Sequence, residues 1–237
     1  MNYNHIVQAI FLSRPNRFIA HALVEGKEVV CHVKNTGRLR ELLYPGAALL
    51  LEYHPDAEQL GRKTAYSLIG VYKEPGGCSK KRILINIDSQ APNHVAEEWL
   101  KSGAFSSKIS HIKREVTYRD SRFDLAFTDS GRPAFMEVKG VTLETDGVAC
   151  FPDAPTLRGV KHVTELIHAV TDGYSAYLLF VIQMQDISYF TPNRMTHAAF
   201  ADALKLADAS GVHILAYNCL ITEDSMKIYQ AVDVNLE

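Results

Sequence analysis

The sequence predicts a mixed α/β protein in which a small β-barrel domain, residues 1–88, precedes an α/β domain, residues 89–237. Two observations lead to this division. The first part consists of short apolar runs separated by turn residues, which is typical of strands. The second part alternates strand-like apolar runs with segments of helical period. The polar stretch 88–92 lies between the two patterns and marks the boundary.

Composition describes an ordinary globular protein with no strong bias toward one class of partner. The chain has 237 residues, is 47% hydrophobic and carries a formal net charge of −2. Nucleic acid would therefore have to be bound through a local basic patch. The four cysteines form no C-x-x-C pair, which argues against a zinc finger or a small disulfide-rich fold. No signal peptide or membrane-length apolar run is present, so we expect a cytoplasmic location and no membrane partner.

Strands account for most of the first domain. They are predicted at residues 6–12, 17–24, 27–34, 47–53, 64–72 and 82–87. Residues 36–43 predict one or two helical turns with leucines on one side. Five strands and a small helix suit an oligonucleotide-binding (OB) barrel, although a small sandwich or another barrel fits the pattern nearly as well.

Basic residues of the first domain are candidate phosphate contacts. The loop 73–82 contains two glycines followed by Lys80 and Lys81, and it is either a solvated loop or a phosphate-contacting finger. OB domains bind single strands by combining aromatic stacking with phosphate contacts. The residues that fit this role are Arg17, Phe18, Arg38 and Arg40. For Phe18, burial in the barrel core is the favoured alternative.

Helices and strands alternate along the second domain. The predicted helices are 93–101, 156–172 and 193–210, and the predicted strands are a hairpin at 122–140, apolar runs at 176–183 and 213–219, and an edge at 227–232. The first helix has Asn93 as its N-cap after Pro92, and Gly103 ends it. This order of elements predicts a layered α/β architecture.

The hairpin 122–140 has a register that its own sequence defines. Gly131 can take the positive φ of a tight reversal, and a turn at Ser130 and Gly131 places Asp124 opposite Glu137. Side chains alternate between the two faces of a strand. The polar face then carries Arg122, Asp124, Glu137 and Lys139, and the apolar face carries Phe123, Leu125, Phe127, Ala134, Met136 and Val138.

Asp124, Glu137 and Lys139 have the D…(D/E)-x-K spacing of metal-dependent nucleases. The two carboxylates can share a hard divalent cation, and the backbone carbonyl of Val138 is placed to help. Lys139 can orient an attacking water or offset charge that develops on a phosphate. The alternative is a half-exposed sheet face, because antiparallel sheets commonly have one wet side and the spacing alone is a weak motif.

Four segments resemble the sugar fermentation stimulation protein A (SfsA) family, namely NTGRL at 35–39, SRFD at 121–124, EVKGVTL at 137–143 and FPDAPTLRGVKHVTEL at 151–166. The resemblance implies an OB-like domain joined to a restriction-endonuclease-like α/β domain of the PD-(D/E)xK type. It also implies DNA binding linked to the regulation of sugar (maltose) metabolism. Asp124, Glu137 and Lys139 match the nuclease signature, and Phe123 replaces its proline. Glu98 matches the family's helix glutamate, which makes it a further candidate metal ligand.

The second predicted helix supplies further candidate DNA contacts. Arg158, Lys161 and His162 follow a helix start, which is a natural anion site, and the family resemblance places them near the scissile phosphate or the DNA backbone. A solvated helix face is the alternative. Arg122 joins these candidates. Gln183 either completes the pocket or is a buried amide satisfied by backbone.

These features support two main hypotheses. The first is a DNA-binding protein of little sequence specificity with a Mg²⁺- or Mn²⁺-dependent deoxyribonuclease site, in which Asp124 and Glu137 hold the ion and Lys139 is catalytic. The second is a non-catalytic DNA-binding regulator. A carbohydrate-binding or small-molecule protein is a third, argued from the barrel alone. A homodimer stays open.

Overall fold

The first domain folds as a closed barrel. The structure, a computed structural model, describes residues 1–75 and 81–237. The strands of this domain are β1 (Ile6–Asn16), β2 (Ile19–Val24), β3 (Lys27–Val33), β4 (Ala48–Tyr53), β5 (Tyr66–Lys73) and β6 (Ile83–Asn86). They pair in the order β3-β2-β1-β4-β5-β6, and β3 also pairs with β5, which closes the first five strands into a barrel. The predicted OB-like barrel is confirmed, and the sandwich alternative is wrong.

Two local features of the barrel differ from the sequence-based expectation. Residues 36–43 contain a single turn, in which the N–H of Leu43 donates to the carbonyl of Leu39 at 2.8 Å. Phe18 lies outside the core, since 52% of it is exposed. It sits in the turn between β1 and β2, where the side chain of Asn16 accepts hydrogen bonds from the N–H groups of Phe18 and Ile19. A turn at this point presents the ring to solvent.

The second domain contains three helices and two sheets. The helices are α1 (Ala91–Lys101), α2 (Leu157–Thr171) and α3 (Ala198–Ala209). The strands are β7 (Ile109–Tyr118), β8 (Ser121–Asp129), β9 (Arg132–Val141), β10 (Leu143–Thr145), β11 (Val148–Phe151), β12 (Ser175–Ile182), β13 (Tyr189–Pro192), β14 (His213–Ile221), β15 (Met226–Ala231) and β16 (Asp233–Val234). The main sheet has the order β15-β14-β12-β9-β8-β7, and the smaller one has the order β10-β11-β13-β16.

Helices cover both faces of the main sheet. On one face α1 buries Trp99 and Leu100 against Leu125 and Met136 of the β8–β9 hairpin. On the other face α2 and α3 pack in a separate buried cluster around Phe180. Strand β9 is central, since it pairs with β8 on one side and lies parallel to β12 on the other. Side chains on both faces of β9 are therefore enclosed, including polar ones.

Three elements depart from the predicted boundaries. Helix α1 begins at Ala91 with Pro92 in its first turn, where proline costs no hydrogen bond. Asn93 is therefore inside the helix and is not its N-cap. Helix α3 begins at Ala198, five residues later than predicted, because residues 193–197 form a turn. Strand β7 was not predicted; its side chains, ISHIKREVTY, are mostly exposed at the edge of the sheet and show no clear alternation.

Gln183 joins the two domains. Its Nε2 donates to the backbone carbonyls of Asn86 and Asp88 and to the Oδ1 of Asn86, and the N–H of Asn86 donates to the carbonyl of Gln183 at 3.0 Å. The side chain is buried. Of the two roles considered for Gln183, the buried amide satisfied by protein groups is the one the structure contains.

The packing around Gln183 also explains why the residue at position 140, near the end of β9, is a glycine. A Cβ built on this residue would lie 2.5 Å from the Oε1 of Gln183 and 2.7 Å from the Cγ of Pro92. A side chain at this position would clash with Gln183, which contacts the barrel, and with Pro92 of α1.

Among the described residues, no helix is long and apolar enough to cross a membrane.

Candidate metal centre

The β8–β9 hairpin has the predicted turn and register. Ser130 and Gly131 form the turn with positive φ angles of 53° and 85°, and Leu125 pairs with Met136. The regular pairing of β8 with β9 ends at these two residues, one position before the expected pairing of Asp124 with Glu137. The two strands therefore separate where the candidate site begins.

Asp124 occupies the gap between the separating strands. Its Oδ2 accepts a hydrogen bond from the N–H of Val138 at 2.8 Å, and its Oδ1 accepts one from the Nδ2 of Asn93 at 2.8 Å. Asn93 was predicted only as a helix cap, and no sequence signal identified this contact. Burial, and then the neighbouring charge of Glu137, raises the pKa of Asp124 above its usual range.

The break at Asp124 also changes the position of Phe123. It was expected on the apolar face with Leu125 and Phe127, but it belongs to the other buried cluster. Its ring centroid lies 5.1 Å from that of Phe135, which belongs to the same cluster. The regular alternation inferred from sequence therefore fails at Asp124, where the ladder stops.

Glu137 is the most enclosed charged group of the site, with only 2% of its side chain exposed. Its Oε1 accepts a hydrogen bond from the Nζ of Lys139 at 2.5 Å and another from the Nδ1 of His162. Burial pushes the pKa of Glu137 upward, but the bond from His162 and the ammonium of Lys139 outweigh it and leave the pKa below its usual value. The half-exposed sheet face considered from sequence is wrong, because α2 covers this side.

The second oxygen of Glu137 has no partner. Oε2 is buried and makes no hydrogen bond, whereas buried carboxylate oxygens are normally satisfied. A carboxylate oxygen in this condition fits a cation ligand, because it is a hard oxygen donor and the carboxylate of Asp124 is close enough for the charge of Glu137 to raise its pKa. Within residues 1–75 and 81–237, no group of three His, Cys, Asp or Glu side chains gathers as a metal site.

Glu98 does not belong to this centre. Its carboxylate is 56% exposed and forms an ion pair with the N-terminal ammonium of Met1 at 2.6 Å. Residues one turn apart on a helix share a face, and Asn93, which contacts Asp124, has Glu97 rather than Glu98 on its face. Glu97 in turn is bonded to Lys101 and Arg114. The role carried over to Glu98 from the family resemblance is wrong in this geometry.

The basic flank of α2 divides into two parts. His162 is buried against Glu137, so the expectation of a direct DNA contact is wrong and His162 is a partner of the carboxylate. The Nε2 of His162 accepts a hydrogen bond from the Nε of Arg158 at 3.3 Å, which leaves its Nδ1 as the donor to Glu137. Lys161 lies at the surface and donates to the carbonyl of Asp120 at 2.7 Å.

The remaining predicted DNA contacts lie at other places on the surface. Arg122 is exposed and forms an ion pair with Glu115 at 2.7 Å. Arg17 and Arg38 line a cleft of about 970 Å³ between the barrel and the α/β domain. Lys81 directly follows the undescribed stretch, and Lys80 lies outside the described residues.

Fold and site together define a class of protein. An OB barrel is joined to an α/β domain of three helices and two sheets, and this domain carries the D…(D/E)-x-K residues, one of which has an unpartnered carboxylate oxygen. Two family models match the chain. The first, described as the sugar fermentation stimulation protein RE domain, matches residues 90–225, and the second, described as the SfsA N-terminal OB domain, matches residues 12–85. The chain belongs to the sugar fermentation stimulation protein (SfsA) family.

Relatives match this chain over its whole length. It is 55% identical to a sugar fermentation stimulation protein homolog of Desulfitobacterium hafniense (strain Y51), covering 100% of this chain and 99% of that one. It is 48% identical to the homolog of Clostridium beijerinckii, covering 100% of both. The solved structure of Pyrococcus furiosus SfsA in complex with Ca²⁺ is similar with a TM-score of 0.85 and 27% identity, covering 99% of this chain and 98% of that one.

Proposed function

We propose that this protein binds DNA and hydrolyses its phosphodiester bonds with a divalent cation, Mg²⁺ or Mn²⁺, held by Asp124 and Glu137. One observation carries the proposal. The buried Oε2 of Glu137 has no hydrogen-bond partner, although the other oxygen of the same carboxylate accepts two hydrogen bonds. An oxygen that is enclosed and unsatisfied is costly to a fold unless a ligand completes it.

The ligands that we propose suit a hard cation. Asp124, Glu137 and the carbonyl of Val138 are oxygen ligands, and Mg²⁺ in proteins is commonly held by one or two carboxylates with water in its other positions. The Pyrococcus furiosus relative was solved in complex with Ca²⁺, another hard cation. A bound divalent cation supplies Lewis-acid stabilisation of negative charge on a phosphate.

Lys139 and His162 have different roles beside the carboxylate. The Nζ of Lys139 lies 2.5 Å from the Oε1 of Glu137 and is partly exposed, so its ammonium is available to a phosphate that approaches the site. We assign Lys139 to stabilising the charge that develops on the phosphate. His162 is buried behind Glu137 and holds the carboxylate with Oε2 free, which is a positioning role.

A non-catalytic DNA-binding regulator is the second candidate, and one observation favours it. The centre has two carboxylates, because Glu98 is bonded to the ammonium of Met1 and takes no part in it. A protein of this kind binds DNA without metal, and substitution of Glu137 leaves that binding unchanged. The link to sugar metabolism belongs to this candidate and rests on the family name.

A cleavage assay with a matched pair of variants tests the proposal. Purified protein is incubated with labelled single-stranded, duplex and branched DNA in Mg²⁺, Mn²⁺ or EDTA. We expect cleavage in either metal, none in EDTA, and none by Glu137→Gln. Glu98→Gln is the control, since it makes the same chemical change on a carboxylate outside the centre, and it should cleave like the wild type. Absence of metal-dependent cleavage on every substrate, or equal loss in both variants, would overturn the nuclease.

A further inference from the structure

A cleft separates the barrel from the α/β domain. Its volume is about 970 Å³. The barrel wall is formed by β1 and residues 35–45, and the opposite wall is formed by residues 150–156, which lead into α2. Gly140, the neighbour of Lys139 on β9, lies between the two walls. The cleft therefore reaches the end of β9 that follows Lys139, although Asp124, Glu137 and Lys139 do not line it.

The barrel wall of this cleft carries positive charge without counter-ions. Arg17, Arg38 and Arg40 line it, and within the described residues none of their side chains has a carboxylate within 4.0 Å. Asp153 on the opposite wall is the one acidic side chain among the lining residues. Unpaired guanidinium groups in a concave site favour an anionic ligand, and they are conspicuous in a chain whose net charge is −2.

Arg14 holds this wall in shape. Its guanidinium donates to four backbone carbonyls, those of Arg17, Asn35, Gly37 and Arg38, at 2.7 to 2.9 Å. Both segments that carry the free arginines are therefore fixed to one side chain. The cationic wall exists before any ligand binds, which lowers the entropic cost of binding.

A second concavity continues the path along the barrel. It is about 480 Å³ in volume and is lined by Phe18, Arg62 and Lys63. Asn16 lines both this concavity and the cleft, so the two are contiguous. Phe18 is half exposed, and Arg62 is held by a hydrogen bond from its guanidinium to the hydroxyl of Ser67 at 3.0 Å. An exposed aromatic ring between fixed cations is the arrangement that stacks an unpaired base while the backbone phosphates are bound.

We propose that a single-stranded segment of DNA follows this path, with one base stacked on Phe18, its phosphates on Arg17 and Arg40, and its far end beside Gly140 on β9. The DNA in this proposal is single-stranded, because an aromatic ring at the barrel surface can stack on a base only when that base is outside a duplex. The proposal that the strand is hydrolysed near this end rests on the proposed function. The proposal that the strand binds along the cleft does not.

Binding is tested in EDTA, so that cleavage cannot contribute. Fluorescence anisotropy is measured with a labelled oligothymidine of about twelve nucleotides, and with the same strand annealed to its complement. We expect Phe18→Ala to weaken single-strand binding about tenfold or more, which is the usual contribution of one stacked base. Arg40→Ala should weaken it and should lower the slope of log affinity against log salt by about 0.7.

Two substitutions elsewhere are the controls. Tyr229→Ala removes a ring of similar exposure, 56%, from the edge strand β15. Lys205→Ala removes one positive charge from the outer side of α3. Both should bind single strands like the wild type, and circular dichroism should show that all four variants are folded.

The possible results separate the two proposals. Single-strand binding that depends on Phe18 and Arg40, in a protein that never cleaves, supports the path and contradicts the nuclease. Metal-dependent cleavage with single-strand binding unchanged in both variants overturns the path and leaves the nuclease. Equal losses in the variants and their controls, or equal losses on duplex and single strand, also overturn the path.

Discussion

The barrel wall of the cleft and the metal centre of the α/β domain handle charge in opposite ways. On the barrel, Arg17, Arg38 and Arg40 face the cleft without carboxylate partners among the described residues. In the centre, one oxygen of Glu137 is bonded to two basic side chains while the other is bonded to none. Under the two proposals, the first surface binds several phosphates and the second binds one cation.

This difference predicts that DNA affinity and metal-dependent cleavage depend on different residues. Exposed arginines attract DNA phosphates. The strength of this attraction depends on the salt concentration but not on the divalent cation of the centre. An enclosed carboxylate supplies a fixed ligand whose effect appears only when metal is present. Substitutions on the barrel should therefore change DNA binding in EDTA, whereas substitutions in the centre should change metal-dependent cleavage.

Among substitutions that leave the metal ligands in place, Lys139→Met should cause the largest loss of cleavage rate. Removal of one preorganised charge-stabilising group costs about 10²–10³-fold in rate. We expect cleavage to fall by this amount while DNA binding in EDTA is unchanged, because Lys139 lies in the centre and is only partly exposed. Single-turnover cleavage and anisotropy measure the two quantities. A parallel loss of binding would show that the two regions are not separate.

His162→Ala should reduce metal affinity by about 10–100-fold, the usual cost of removing a group that orients a ligand. Glu137 would lose one of the two bonds that hold its Oε1. Calorimetric titration with Mn²⁺ measures the change. Lys161→Ala, the adjacent position on the surface of α2, is the control and should bind metal like the wild type. Unchanged affinity in His162→Ala would remove its positioning role.

The pH dependence of Mn²⁺ binding should follow Asp124. Burial and the charge of Glu137 raise its pKa in the folded protein, so the proton is held to a higher pH than in a free aspartate. Metal must displace that proton, and affinity should fall by up to about tenfold per pH unit as the pH drops below the raised pKa. Glu137, whose pKa is lowered, should contribute nothing until the pH is more acidic. A midpoint below the usual aspartate range would contradict this assignment.

The smallest effect concerns stability without metal. A carboxyl group whose folded pKa is raised stabilises the folded state at low pH, and this contribution is lost as the pH rises through the folded pKa. At neutral pH in EDTA, Asp124→Asn should therefore melt at the same temperature as the wild type or higher. Glu137→Gln should melt lower, because it gives up the ion pair with Lys139 and weakens the hydrogen bond from His162. Thermal melts of the two variants give the comparison.

Local features of the fold were predictable from the sequence. The Ser130-Gly131 turn specifies the pairing of Leu125 with Met136 because a two-residue turn determines register within its own hairpin. The limits of α2 follow from its apolar period and from Thr156, whose hydroxyl accepts a hydrogen bond from the N–H of Gly159. Both predictions depend only on residues that are near one another in the chain.

The predictions that failed depend on contacts between distant residues. His162 has the pattern of a solvated helix flank, and only the packing of α2 over β9 shows that it faces Glu137. Glu98 and Glu97 are adjacent in sequence, and the phase of α1 relative to Asp124 decides which side each one faces. Phe18 is the exception, because the turn with Asn16 that exposes it is local. The sequence predicted Asp124 and Glu137 as candidate ligands, but it gave no sign of their contacts with Asn93 and His162.

A crystal soaked in Mn²⁺ tests the central claim most directly. Anomalous scattering locates the ion without reference to activity. We predict a peak within coordination distance of the Oε2 of Glu137 and of Asp124, and no such peak in crystals of Glu137→Gln soaked in the same way. A wild-type crystal with no peak at Glu137, or with its ion bound at Glu98, would contradict the metal centre described above.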